Sequence, residues 1–131
     1  MRLLLDTHAL LWALSAPQQL PVSLRRAIQA AENDVYASLA SAWEIAIKAA
    51  LGKIEFDVRS LERMLAATGF QILDISLQHA VQVAELPMHH GDPFDRILVA
   101  QALSESMVLV TRDRALRQYG VRILWQRPVN P

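Results

Sequence analysis

The chain contains no cysteine. Disulfides and thiolate metal sites are therefore excluded, and a reducing compartment such as the cytoplasm fits the composition. No apolar run approaches the roughly 18 residues that a membrane span requires, because charge or amide interrupts each one. A secretory signal is not expected either, since Asp6 breaks the N-terminal stretch after Leu3, Leu4 and Leu5. No repeat, low-complexity tract or shift in composition divides the 131 residues. They read as one domain over residues 1–131, expected to bury roughly two thirds of its extended surface. With 53% hydrophobic and 20% charged residues, disorder is excluded. Surplus apolar surface on so small a domain points to a partner or a dimer interface.

Net charge is also absent: 13 basic residues balance 13 acidic ones. A broad basic patch for nucleic acid is not expected from that balance. If a metal neutralised four of the acids, nine would remain against thirteen bases, eleven of which are arginine. Arginine suits phosphate, because its planar fork donates two parallel hydrogen bonds. RNA is thus permitted as a partner without being demanded.

What is present is an alternation of strand-like and helix-like segments. Strands are expected at Arg2–Leu5, Asp34–Ala37, Phe70–Ile75, Met107–Val110 and Val121–Trp125. Helices are expected at Thr7–Ser15, at Val22–Ala31 with Pro21 in its first turn, and at Ser41–Leu51, ended by Gly52. Further helices are expected at Leu61–Thr68, at a Ser76-started segment to Leu86, at Phe94–Ser106 and at Arg114–Tyr119. Asp92 is the expected N-cap before Pro93. This order implies an α/β fold with a central parallel sheet flanked by helices, a three-layer α/β/α arrangement. Ligands in such folds bind beyond the carboxyl ends of the strands.

Four acids stand where strands give way to helices: Asp6, Glu44, Asp95 and Asp113. Each has a structural explanation. Asp6 and Asp113 are good N-caps, Ser41-Ala-Trp-Glu44 has capping-box spacing, and Asp95 complements a helix dipole. Four carboxylates along one sheet edge nevertheless repel unless a cation lies between them. Hard divalent cations take oxygen ligands, so magnesium or manganese fits this set better than zinc. The four histidines offer no paired spacing for zinc.

The motifs Leu5-Asp6-Thr7-His8, Ser41-Ala-Trp-Glu44-Ile45, His90-Gly-Asp-Pro-Phe-Asp95-Arg96, Ile97-Leu-Val-Ala-Gln101-Ala and Val110-Thr111-Arg112-Asp113 follow one another along the chain. In this set and order the sequence resembles the PIN-domain family, and within it the VapC-type toxins of bacterial toxin–antitoxin pairs. The resemblance implies a single PIN-like domain and a metal-dependent endoribonuclease whose acidic quartet is Asp6, Glu44, Asp95 and Asp113. It implies hydrolysis of RNA phosphodiester bonds by water activated at Mg2+ or Mn2+. A VapB-like antitoxin that inhibits the site, and a homodimer, are implied as well. Asp95, directly before the Arg96–Ala102 run, matches the family's acid-helix motif better than Asp92.

Around the quartet, Thr7 and Thr111 are candidates for orienting carboxylates. Arg96 and Arg112 flank site acids, as phosphate holders or as carboxylate-paired surface residues. His89 and His90 are expected in a solvated loop, and His8 as a packed or capping residue. Trp12 and Trp43 are expected in core or interface packing. Lys48, four residues after Glu44, is expected to form a helical ion pair with it. Two other functions compete: a catalytically silent PIN-fold binding module, and a receiver-like signalling domain. The receiver needs an acid beside Asp6, where Leu5 stands. It also needs a lysine after its last strand, and the only lysines are Lys48 and Lys53.

Overall fold

In the computed structural model, residues 1–125 are described. Five strands form one parallel sheet in the order β3-β2-β1-β4-β5: β1 Arg2–Leu5, β2 Asp34–Ser38, β3 Gln71–Leu73, β4 Val108–Val110 and β5 Ile123–Leu124. Six α-helices accompany them: α1 Thr7–Ser15, α2 Val22–Gln29, α3 Leu39–Ala50, α4 Leu61–Thr68, α5 Leu77–Glu85 and α6 Pro93–Glu105. The expected three-layer α/β/α architecture is found.

The layers follow from the two-residue period of the strands. Leu3 and Leu5 point to one face, where they join Leu10 of α1, Leu24 of α2, Ile45 of α3 and Leu65 of α4. Leu4 points to the other face, against Leu98 and Val99 of α6 and Leu109 of β4. All three leucines are fully buried. A strand covered on both sides reads as a continuous apolar run, which Arg2–Leu5 does after its first residue.

β1 lies between β2 and β4, so the chain order reverses there. The carboxyl ends of β1 and β4 border the crevice that such a reversal opens. The Asp6 N–H, donating to the Val110 carbonyl at 2.9 Å, extends the β1–β4 pairing into that crevice. Helix α3 begins directly after β2, and α6 runs into β4 through Ser106 and Met107. The N-termini of both helices therefore lie at the carboxyl edge of the sheet.

Several boundaries differ from expectation. Helix α3 starts at Leu39 rather than Ser41, because Ser38 is its N-cap and accepts the Ala40 N–H at 3.0 Å. Ser41 is thus a buried third-position residue, Glu44 is the sixth, and the capping-box explanation for Glu44 does not hold. Pro21 is the N-cap of α2 rather than a first-turn residue, and α2 ends at Gln29. β3 and β5 are shorter than expected, at three and two residues. Arg114–Tyr119 is a 3-10 turn, which Asp113 caps through the Ala115 N–H at 3.0 Å.

Candidate active site

Asp6, Glu44, Asp95 and Asp113 line one cleft of about 680 Å³ at the carboxyl edge of the sheet. Asp92 and Lys48 line it too, as do Thr7, His8, Trp12 and Arg112.

Asp6 follows β1 and is the N-cap of α1, with Oδ1 accepting the Ala9 N–H at 2.8 Å. Burial pushes its carboxyl above the usual range, while the Ala9 N–H and the Thr111 hydroxyl oppose that rise. Capping and participation in the cleft coexist in this residue, since one oxygen serves the helix.

Glu44 is buried, and both of its oxygens are engaged. Thr7 Oγ1 donates to Oε1 at 2.6 Å and lies 3.1 Å from Ser41 Oγ. Lys48 Nζ approaches Oε2 at 2.7 Å, the ion pair that the four-residue spacing anticipates. The carboxylate of Glu44 raises the Lys48 pKa further above its normal value, against a smaller opposing effect of burial.

Asp95 sits in the first turn of α6, with Asp92 as the N-cap. Asp92 Oδ1 accepts the Phe94 N–H at 2.8 Å and the Asp95 N–H at 3.1 Å. Burial first, and then the charge of Asp92, pushes the Asp95 carboxyl up to about 6, with Asp6 and Glu44 adding to the rise and His90 opposing it. Such mutual repulsion is what a multivalent cation relieves.

Thr111 is fully buried and accepts the Asp113 N–H at 3.1 Å, so it anchors the turn that presents Asp113. Thr7 and Thr111 are therefore both found against quartet members.

The two arginines differ from each other. Arg96 is buried and turned away from the acids, donating to the Val83, Leu86 and Pro87 carbonyls and to the Tyr119 hydroxyl. It holds no surface carboxylate and is not placed to hold phosphate. Arg112 is exposed, and its guanidinium lies 5.2 Å from the Trp12 ring centroid, a cation–π contact rather than an ion pair. His8 is exposed and meets Trp12 edge-on at 4.2 Å, instead of packing inside.

Trp12 packs partly buried against the core, as expected, whereas Trp43 is 62% exposed and rests edge-on against Phe94. His90 is the residue that sequence reasoning undervalued. Its Nε2 lies 3.2 Å from Asp113 Oδ2 and 3.5 Å from Asp95 Oδ2. These three groups present ligand-type atoms within 4.8 Å of one another. The available signal was its position two residues before Asp92, where Nδ1 accepts the Asp92 N–H.

The PIN domain family matches residues 3–121. The chain belongs to the PIN domain family. A relative, Ribonuclease VapC22 of Mycobacterium tuberculosis, is 31% identical over 118 residues, covering 88% of this chain and 90% of that protein. Among solved structures, VapBC2 from Rickettsia felis bound to a promoter DNA fragment matches with a TM-score of 0.72 at 16% identity, over 96% of this chain and 100% of that one. DNA-bound VapBC from Salmonella typhimurium gives 0.66 at 19% identity, over 95% and 97%. These structural likenesses establish the shared PIN fold.

Proposed function

We propose that this protein is a divalent-metal-dependent endoribonuclease and the toxin of a toxin–antitoxin pair. The observation that carries the reading is the meeting of Asp6, Glu44, Asp95 and Asp113 in one cleft at the switch point of a PIN-domain sheet. The relative named Ribonuclease VapC22 supports the activity class. The VapBC neighbours, being complexes, support a VapB-like protein antitoxin as a partner. Exposed Trp43, Leu77 and Met88 support a homodimer, and the absence of any membrane-crossing helix among the described residues fits a cytoplasmic toxin. The single domain is read as extending over residues 1–131.

The donor set fits a hard cation. It is built of carboxylate oxygens, and burial, with the charges of Asp92, Asp6 and Glu44 adding to it, disfavours an ionised Asp95 unless a cation is present. Asp6 and Asp95 would hold the principal Mg2+ or Mn2+, with Glu44 and Asp113 completing the site directly or through water. Such a cation supplies Lewis acidity, making water a better nucleophile and neutralising charge at the scissile phosphate.

The chain's own residues do the rest. Thr7 fixes one oxygen of Glu44, so that carboxylate meets the cation with less rotamer freedom to lose, while Lys48 balances the charge of the other oxygen in the metal-free site. Thr111 holds the turn bearing Asp113, and Asp92 fixes the first turn of α6 beneath Asp95. Arg112 and Lys48 supply positive charge on the cleft wall for a phosphate backbone. No protein nucleophile is required.

The test is cleavage of a panel of structured RNAs with Mg2+, with Mn2+ or with EDTA, by wild type and Asp95→Asn. Cleavage that needs the metal and disappears in Asp95→Asn is the expected result. Cleavage that persists in EDTA would sink the proposal. Suppression of that cleavage by the product of an adjoining small reading frame is the expected result for the antitoxin.

A further inference from the structure

His90 and Arg96 bracket the two acids at the start of α6, and the quartet accounts for neither. His90 Nδ1 accepts the Asp92 backbone N–H at 3.1 Å, so that nitrogen presents a lone pair. A neutral imidazole with its lone pair at Nδ1 carries its proton on Nε2. That Nε2–H faces Asp113 Oδ2 at 3.2 Å and Asp95 Oδ2 at 3.5 Å. A nitrogen that bears a proton has no lone pair for a cation. His90 is therefore a donor to Asp113 and not a metal ligand, despite its place in the cluster.

We propose that His90 is a positioning residue: its Nε2–H holds Asp113 and keeps that carboxylate beside Asp95, while Arg96 and Tyr119 hold His90 in place. The inference rests on the reading of Asp95 and Asp113 as metal-site acids.

Three features support it. Asp113 is held at both oxygens, Oδ1 by the Ala115 N–H and Oδ2 by His90, so its remaining lone pairs have a set direction. Arg96 Nη1 donates to the Pro87 carbonyl at 2.9 Å and to the Tyr119 hydroxyl at 3.2 Å. Its Nη2 donates to the Val83 and Leu86 carbonyls at 3.1 and 3.3 Å. The Tyr119 hydroxyl in turn donates to the His90 carbonyl at 3.5 Å. One buried guanidinium thus ties the end of α5, the loop carrying His90 and the 3-10 turn capped by Asp113 to the helix carrying Asp95. Lysine, with a single ammonium, cannot replace that fork.

The experiment has two readouts. Nitrogen-15 histidine NMR of the metal-free protein, with His90 assigned by comparison with His90→Gln, reads the tautomer directly. A proton on Nε2 is expected, and a proton on Nδ1 overturns the proposal. Mn2+ titration followed by EPR then compares wild type, His90→Gln, His90→Ala and Arg96→Lys.

His90→Ala and Arg96→Lys are expected to weaken Mn2+ binding by about tenfold, the usual scale for groups that orient ligands. His90→Gln, which keeps an N–H donor, is expected to stay near wild type. Pulsed EPR of bound Mn2+ is expected to show no histidine nitrogen coupling. Mn2+ bound equally well by wild type and folded His90→Ala, or a histidine nitrogen coupled to Mn2+, overturns this inference alone. A wild type that binds no Mn2+ overturns the metal reading and this inference with it.

Discussion

The Thr7 hydroxyl donates to Glu44 Oε1 at 2.6 Å, joining the first residue of α1 to the sixth residue of α3. Both groups are buried. A hydrogen bond from a buried hydroxyl to a carboxylate contributes about 1.5–3 kcal/mol, and removing one partner exposes the other's desolvation cost. Thr7→Val keeps the shape and deletes the donor. It is expected to lower stability by about 1–3 kcal/mol and to reduce cleavage, while Thr7→Ser retains most of both. Denaturant unfolding and RNA cleavage on the same samples check this pair.

The pH dependence of the metal-free protein has a definite sign. Asp95 has a carboxyl at about 6 in the folded state, against an ordinary value of 3.8. Between those values the folded state holds the proton more tightly than the unfolded chain does. This contribution to stability is therefore fully present at low pH and is lost as pH rises through about 6. Asp6 is shifted in the same direction. Asp95→Asn is expected to raise the metal-free Tm at pH 7.5 on the order of 5 °C, recovering roughly 1–2 kcal/mol, and to gain little at pH 4.5. The same variant is expected to lose cleavage. Calorimetry at the two pH values measures the difference.

Lys48 and Glu44 form an i,i+4 pair in which the lysine side chain is 44% exposed. Pairs of that kind contribute about 0.3–0.5 kcal/mol, so Lys48→Met is expected to change stability little. Its electrostatic effects should oppose one another: Mn2+ binds more tightly once the competing cation is gone, and RNA binds more weakly. Isothermal titration with each ligand distinguishes that outcome from a simple loss of fold.

Much of the fold was legible in the sequence because its strands are buried on both faces and its helices are periodic. Leu3-Leu4-Leu5 followed by Asp6 marks a strand end and a helix start together, and the structure has both at that junction. Ser38 was harder to place. It closes the apolar β2 run and also caps α3, so Ala37 to Ala40 gives no clear break between strand and helix.

His90 and Arg96 were obscure for another reason. Apart from the contact of His90 Nδ1 with the Asp92 N–H, their partners are backbone carbonyls, a tyrosine hydroxyl and the distant Asp113, and no local pattern encodes those contacts. Trp43 illustrates the same limit: an apolar helical pattern places it on a face, but only the surrounding fold leaves that face uncovered.

Arg112 stacks over Trp12 beside the cleft, with its guanidinium 5.2 Å from the ring. At an exposed site such a contact contributes about 0.5–1 kcal/mol. Arg112→Ala is expected to destabilise by no more than that, to raise KM for RNA, and to flatten the salt dependence of binding by about one phosphate contact. A salt series of RNA binding by wild type and the variant provides the comparison.

Asp6→Asn separates the capping of α1 from the proposed metal-binding role of Asp6. Asparagine caps a helix about as well as aspartate, so the N-cap survives, but it withdraws the negative charge that a hard cation requires. The decisive measurement is the rate at which wild type and Asp6→Asn, matched for thermal unfolding, cleave one RNA in Mg2+. The variant is expected to melt at or above the wild-type temperature and to cut at least a hundredfold more slowly, on the order of 3 kcal/mol in the barrier. Equal cleavage by the two proteins would contradict the metal-binding role.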